Sequence, residues 1–197
     1  MPKLSARARK IKLLLFDVDG VLTDGKLFFL PTSGENPQAA SELHAQGSIE
    51  FKGFHVHDGV AIALARIGGL RTGLITTRFS ETVALRARDL KIEFVRQGIQ
   101  DKRTVFEEII KEIGITSDEA AFIGDDFIDL PSMLAGGLAI AVKNARAEVK
   151  KVAHYVTPHS GGEGAVRDAV EFILKAQGKW KTVFEAYMKG RINSSGN

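Results

Sequence analysis

The sequence predicts an α/β protein, a parallel sheet with helices on both faces. Three observations predict it. Short apolar runs of strand length recur along the 197 residues. Helical patterns fill most of the gaps between them. Several of the runs end abruptly on polar side chains, as strands do when their carboxyl ends line a binding edge.

The runs are IKLLLF (11–16), TGLIT (72–76), IEFV (92–95), AAFIG (120–124), LAIAV (138–142) and HYVT (154–157). Among the helical patterns, DGVAIALARIG (58–68) places Val60, Ile62, Leu64 and Ile67 on a mostly apolar helix. DKRTVFEEIIKEIG (101–114) is better marked. Asp101 is a natural N-cap, Val105, Phe106, Ile109, Ile110 and Ile113 recur at helical spacing, and Gly114 supplies the stop.

One stretch breaks the alternation. TDGKLFFL (23–30) and GSIEFKGF (47–54) read as two antiparallel strands joined by the polar connector PTSGENPQAASELHAQ, which is longer than the usual hairpin turn. Beyond residue 163, GAVRDAVEFILKAQG and WKTVFEAYMKG read as amphipathic helices, followed by a tail, RINSSGN, expected to fray. The expected architecture is a Rossmann-like three-layer sandwich over residues 1–197. It carries a β-hairpin flap at about 23–54, C-terminal helices at about 163–191 and no segment large enough for a cap domain.

Composition narrows the function. Hydrophobic residues make up 44% and charged residues 26%, as in an ordinary globular domain. There are no cysteines, which excludes disulfides, thiol catalysis and thiolate metal sites. The N-terminal basic residues precede an apolar run that Asp17 interrupts after about five residues, short of the roughly 7–15 of a signal-peptide core. No stretch approaches the ~18 apolar residues of a membrane span. A cytoplasmic, soluble protein is expected. The net charge of +3 comes largely from Lys3, Arg7, Arg9, Lys10, Lys12 and the tail. Without interleaved aromatics or a nucleic-acid motif this reads as a solvated arm, so no nucleic-acid or membrane partner is expected.

The chemistry starts at LLLFDVDGVLTDG (13–25). Asp17 and Asp19 stand at i and i+2 at the end of a buried strand, where side chains share a face. Two such carboxylates repel and cost desolvation energy. Asp-Gly alone signals a turn. Three more features alter that reading. LITTR (74–78) ends a strand on Thr76 and Thr77 before Arg78, DK (101–102) puts Lys102 at a helix start, and FIGDDFIDL (122–130) ends a strand on Gly124, Asp125 and Asp126, with Asp129 beyond. Carboxylates, a hydroxyl and an amine at neighbouring strand ends are what a phosphoryl group and a hard divalent cation require, and Mg²⁺ takes oxygen ligands.

FDVDGVLTDG, LITTR, the DK lysine and GDDFIDL, in that order, resemble the four motifs of the haloacid dehalogenase-like phosphohydrolases. FHVHDGVAI (54–62), RQGIQDK (96–102) and VTPHSGGEGAVRD (156–168) narrow the resemblance to the 3-deoxy-D-manno-octulosonate 8-phosphate (KDO 8-phosphate) phosphatases. The resemblance implies an Mg²⁺-dependent phosphomonoesterase of lipopolysaccharide precursor synthesis. Asp17 would be the nucleophile that forms an aspartyl-phosphate, and Asp19 the acid and then the base. Mg²⁺ would sit on Asp17, the backbone carbonyl of Asp19, and Asp125. Thr76 and Lys102 would hold phosphoryl oxygens, with Asp126 and Asp129 supporting them from behind. Arg78, His55, His57, Asp58 and Gly59 are the expected substrate-binding set. It further implies a homotetramer in which hairpins meet at the centre and a neighbour's segment closes the site, with the hairpin and GGEG (161–164) as the available segments.

The chain departs from the pattern in places. Where the family usually has Asn-x-Arg-Asp-Gly, this chain has His55-Val56-His57-Asp58-Gly59, and Ala63 stands where a further arginine is common. Both changes remove a cation that would meet a sugar-acid carboxylate, leaving His57 and Arg66 as replacements. Thr77 stands where glycine is common, so the backbone there must suit a β-branched residue. Three other readings stay open at this point. One is a phosphatase of a sialic acid-like 9-phosphate. Another is a phospho-acceptor receiver module, against which the DxD spacing argues. The last is a non-catalytic oligomerisation or regulatory domain.

Overall fold

A computed structural model describes residues 2–31 and 48–194. Six parallel strands form the sheet: β1 (Leu13–Phe16), β4 (Arg71–Ile75), β5 (Phe94–Arg96), β6 (Ala120–Gly124), β7 (Leu138–Ala141) and β8 (Tyr155–Val156). Their spatial order is β5-β4-β1-β6-β7-β8, and each coincides with a sequence run to within two residues. β1 is flanked on both edges and covered on both faces, so Leu13, Leu14, Leu15 and Phe16 are all fully buried. A continuous apolar run rather than an alternating one is the signature of such a strand.

Eight helices complete the described chain: α1 (Pro2–Lys10), α2 (Val56–Ile67), α3 (Glu81–Leu90), α4 (Lys102–Ile113), α5 (Leu130–Ala135), α6 (Ala147–Val152), α7 (Ala165–Ala176) and α8 (Trp180–Ser194). On one side α1, α2 and α8 pack on α7 or on each other. On the other, α5 packs on α4 and α6. Asp101 caps α4 by accepting from the backbone of Arg103 and Thr104, and Gly114 ends it in the left-handed conformation. A separate antiparallel pair, β2 (Phe28–Pro31) and β3 (Ser48–Phe51), forms the hairpin. Most of the connector expected at 31–46 lies outside the described residues.

Four features differ from expectation. The basic arm is the helix α1, with Ala8 buried and Arg7 donating to the Gly137 carbonyl at 2.7 Å. Ala8, the partly buried Leu4 and polar tethers from Arg7 and Lys10 dock it, a pattern too sparse in a charge-dominated stretch to show as periodicity. The hairpin strands are shorter than 23–30 and 47–54, because 23–27 stays with the loop after β1. α2 begins at Val56, two residues ahead of the helical pattern read from Asp58, so His57 lies in its first turn; His55 is its N-cap and accepts from the His57 amide. The tail is helical through Ser194 instead of fraying at once.

The GGEG segment packs against its own chain. The Gly162 amide donates to the Val21 carbonyl at 3.1 Å, and the Gly161 amide to the Asn144 side chain at 2.9 Å. A Cβ on Gly161 would overlap the Gly20 carbonyl and crowd the Val21 amide. Both obstacles are backbone, which cannot rotate aside. Gly161→Ala is therefore expected to destabilise the protein by about 1–3 kcal/mol and to impair whatever the Asp17–Gly20 loop does. Urea melts of the variant check this, and an unchanged midpoint would contradict it.

Candidate active site

Strand register builds the site. Phe16 pairs with Leu74 of β4 and Ile123 of β6, so the chain leaves all three strands at one level. Asp17, Thr76 and Asp125 follow within two residues of those partners. The Asp17 amide continues the ladder to the Ile123 carbonyl at 3.0 Å, and the Thr76 amide donates to the Arg96 carbonyl at 2.9 Å. The site thus lies beyond the carboxyl ends of the central strands, where an open parallel sheet divides its crossovers.

Two glycines make room for the acids. Gly20 has φ +88°, and a Cβ there would occupy the Asp125 carboxylate; a Cβ on Gly124 would collide with Asp129. The Asp17, Asp125 and Asp129 carboxylates each offer an oxygen within 4.8 Å of the others. Lys102 is buried between them, 2.8 Å from Asp17 Oδ2 and 2.8 Å from Asp129 Oδ1. Lys102 is the first residue of α4, and helical side chains lean toward the N-terminus, which carries its amine off the helix end into the site. Asp129 is fully engaged. Its other oxygen accepts the backbone amides of Asp125 at 3.0 Å and Asp126 at 3.4 Å. Asp126 is exposed and accepts from the Phe127 amide, capping the turn at 127–129.

Burial, then the neighbouring Asp129 charge, pushes the Asp17 carboxyl well above the usual range, against the pull of Lys102. Burial and the charges of Asp129, Asp17 and Asp126 push Asp125 up to about 7. Burial alone would lower the Lys102 ammonium, but Asp17 and Asp129 outweigh it and raise it. One cation for three carboxylates leaves the cluster short of positive charge. Asp17 and Asp125 present hard oxygen donors, the chemistry a divalent cation such as Mg²⁺ takes, so the residues fit such an ion.

The remaining predicted residues divide into two groups. Thr76 is buried, and its Oγ1 accepts from the Arg78 amide at 3.4 Å. Thr77 has no positive φ, so its β-branch is accommodated. Arg78 reaches back over the site: its Nε lies 3.8 Å from Asp19 Oδ2, and its Nη2 donates to Glu50 at 3.0 Å. Asp58 and Gly59 serve the packing of α2. Asp58 is 1% exposed and accepts from the Arg167 amide in the first turn of α7 at 2.9 Å, while Gly59 lies against Arg86 and Leu90. His57 is exposed.

Sequence reasoning missed β3's contribution. Lys52, its side chain fully buried, donates to Asp19 Oδ1 and lies 3.7 Å from Glu50. Glu50 also accepts from Ser80 Oγ at 2.6 Å. The signal was the alternation Ile49-Glu50-Phe51-Lys52, which puts both charges on one face.

The raised carboxyl has a measurable consequence. Burial and its acidic neighbours hold folded Asp125 up at about 7 against an ordinary 3.8, so its favourable contribution is complete below the lower value and lost as pH rises through the upper one. A divalent cation competes with that proton. Adding Mg²⁺ should raise the melting temperature more at about pH 8 than at about pH 5, and Asp125→Asn should remove most of the increment. Equal increments at both pH values would contradict this.

Comparison with known proteins agrees with this geometry. The family model of haloacid dehalogenase-like hydrolases matches residues 74–169. The 3-deoxy-D-manno-octulosonate 8-phosphate phosphatase of Salmonella typhimurium is 36% identical over 178 residues, 90% of this chain and 87% of that protein. The crystal structure of the Moraxella catarrhalis phosphatase of the same name, in complex with magnesium, phosphate and KDO, has a TM-score of 0.84 at 34% identity, covering 95% of this chain and 99% of that one. A cobalt-bound Haemophilus influenzae counterpart has a TM-score of 0.76 at 34% identity, covering 88% and 93%. With the acids, the lysine and the threonine gathered at the sheet edge, the chain belongs to the haloacid dehalogenase-like hydrolases, in the family of the 3-deoxy-D-manno-octulosonate 8-phosphate phosphatases.

Proposed function

We propose that this chain is an Mg²⁺-dependent phosphomonoesterase that hydrolyses KDO 8-phosphate to KDO and inorganic phosphate. The observation that carries the reading is Lys102 bonded to both Asp17 and Asp129 beside Asp125, at the end of the central strand. Relatives that carry this activity by name cover nearly the whole chain.

In the proposed reaction an Asp17 oxygen attacks phosphorus as the phosphorus–ester oxygen bond breaks. Asp19, as the acid, gives its proton to the departing alkoxide. Asp19, now a carboxylate, takes a proton from water. The water oxygen bonds to phosphorus, the bond to Asp17 breaks, and phosphate leaves with the Asp17 carboxylate restored. Lys102 and Thr76 hold phosphoryl oxygens, and Lys102 keeps Asp17 oriented through its shared contact with Asp129. Asp17, Asp125 and the backbone carbonyl of Asp19 would hold Mg²⁺, which when bound neutralises the carboxylates and the phosphoryl oxygens. Arg78, His55 and His57 are the groups proposed to meet the sugar acid. Asp58 acts indirectly by fixing α2 to α7.

Phosphate release from a panel containing KDO 8-phosphate, a sialic acid 9-phosphate, hexose phosphates and p-nitrophenyl phosphate tests the assignment. KDO 8-phosphate should be preferred and EDTA should stop turnover. Asp17→Asn should abolish it, and Asp19→Asn should cost about 10²–10⁴-fold. Preference for another sugar would keep the mechanism and move the substrate.

The reading includes a homotetramer assembled through the hairpins and a cytoplasmic location. No helix among the described residues is long and apolar enough to cross a membrane. Phe28 pairs with Phe51 and Leu30 with Ile49, so these four share one face of the hairpin, and each is about half exposed. Such an apolar ribbon face on an isolated chain is what a second copy would cover. Phe28→Glu with Phe51→Glu should convert the assembly to monomers in sedimentation, with the sheet domain still folded. A parent protein that sediments as a monomer would end this part of the reading.

A further inference from the structure

We propose that Lys52 is a positioning residue for the acid–base carboxylate, so that the hairpin contributes directly to protonation of the leaving group. The inference rests on the proposed role of Asp19. Lys52 follows β3 directly, and its side chain is fully buried although lysine is among the residue types least often found so. A buried ammonium needs a partner, and its hydrogen bond goes to Asp19 Oδ1. The other Asp19 oxygen faces Arg78 Nε at 3.8 Å, beyond hydrogen-bond distance. Lys52 is thus the cation that hydrogen-bonds the Asp19 carboxylate among the described residues.

The strand that delivers Lys52 is itself held. Two residues earlier on the same face, Glu50 accepts from Arg78 at 3.0 Å and Ser80 at 2.6 Å, while its backbone carbonyl accepts from Thr82 at 3.2 Å. These contacts clamp β3 to the loop after β4 and the start of α3. Asp19 lies in the loop beyond β1, where no ladder fixes its side chain. Its direction is set by the clamp through Lys52. Loss of the ammonium frees the carboxylate to turn toward Arg78, away from the leaving oxygen.

Leaving-group dependence tests this. Small monophosphate esters without a sugar, from dinitrophenyl through nitrophenyl and phenyl to ethyl phosphate, need increasing help from an acid to expel the leaving oxygen. The quantity read is kcat/KM, which stops at formation of the phosphoenzyme. In Lys52→Met it should fall on the order of tenfold or more for ethyl phosphate and stay nearly level for dinitrophenyl phosphate, with Lys52→Arg recovering part of the loss. The ratio of the two esters does not depend on the fraction of folded enzyme, so a folding defect cannot imitate the result. Asp19→Asn in the same series should steepen the dependence at least as much; if it does not, the acid–base reading itself fails. If Asp19→Asn steepens it and Lys52→Met lowers all esters equally, Lys52 is structural and the inference is overturned. If Lys52→Met lowers KDO 8-phosphate turnover alone, Lys52 is a sugar-binding group and the inference is likewise overturned.

Discussion

Everything at this sheet edge answers to the repulsion among three carboxylates held within a few ångströms of each other. Asp17, Asp125 and Asp129 come from the ends of two adjacent strands and the turn after one of them. Placing them together costs desolvation three times over. Lys102 returns one charge, and the backbone amides of Asp125 and Asp126 return two hydrogen bonds to Asp129. Removing a partner from a buried ion pair typically costs about 3–5 kcal/mol, because the charge left behind is uncompensated. Natural selection keeps such an arrangement when the uncompensated remainder is useful, and here it is a standing demand for a divalent cation next to Asp17, the proposed nucleophile. The same deficit that weakens the fold prepares the site.

That demand propagates into the backbone. Acids this close leave no space behind them, so Gly20 and Gly124 stand where any side chain would displace a carboxylate. The loop that carries Asp17 and Asp19 turns on the Val18 carbonyl, which accepts from the amides of Val21, Leu22 and Thr23. Gly161 and Gly162 close on it from the loop before α7, which Asp58 in turn fixes to α2. Two glycine pairs far apart in sequence are thus parts of one packing solution. Asp58 belongs to the same solution, as a cap that reaches across from α2, and its burial raises its carboxyl while the Arg167 amide works the other way.

The sheet was legible because its strands are buried on both faces and therefore read as unbroken apolar runs. The catalytic edge was legible because polar residues interrupt those runs at a common point, and because Asp101 and Gly114 mark α4 so plainly that Lys102 had to lie at its start. α1 was not, since one buried alanine carries little signal among four charges. The start of α2 at Val56 was not legible, because the apolar pattern begins only after Asp58 and an N-cap histidine adds no period of its own. Lys52 was invisible for a deeper reason. Its strand alternates apolar and charged residues, and the ordinary inference from alternation is apolar inward, charged outward. Here the charged face turns toward the catalytic loop and the apolar face toward solvent.

That inversion ties the two halves of the proposed biology together. Ile49 and Phe51 point one way from β3, Glu50 and Lys52 the other. A two-stranded ribbon is marginal alone in water, and its outer face is half exposed in the single chain. A second copy covering that face would immobilise the strand whose inner face grips Asp19, Arg78 and Ser80. In the proposed assembly a second copy would take the place of a cap domain. It would do so by holding one strand still, with the energy coming from apolar side chains that the single chain leaves half exposed. Turning Ile49 and Phe51 inward would set apolar groups against Asp19, Arg78 and Ser80, which need polar neighbours. The inverted strand therefore follows from the polar groups it faces, and the proposed partner from the apolar face this leaves outside.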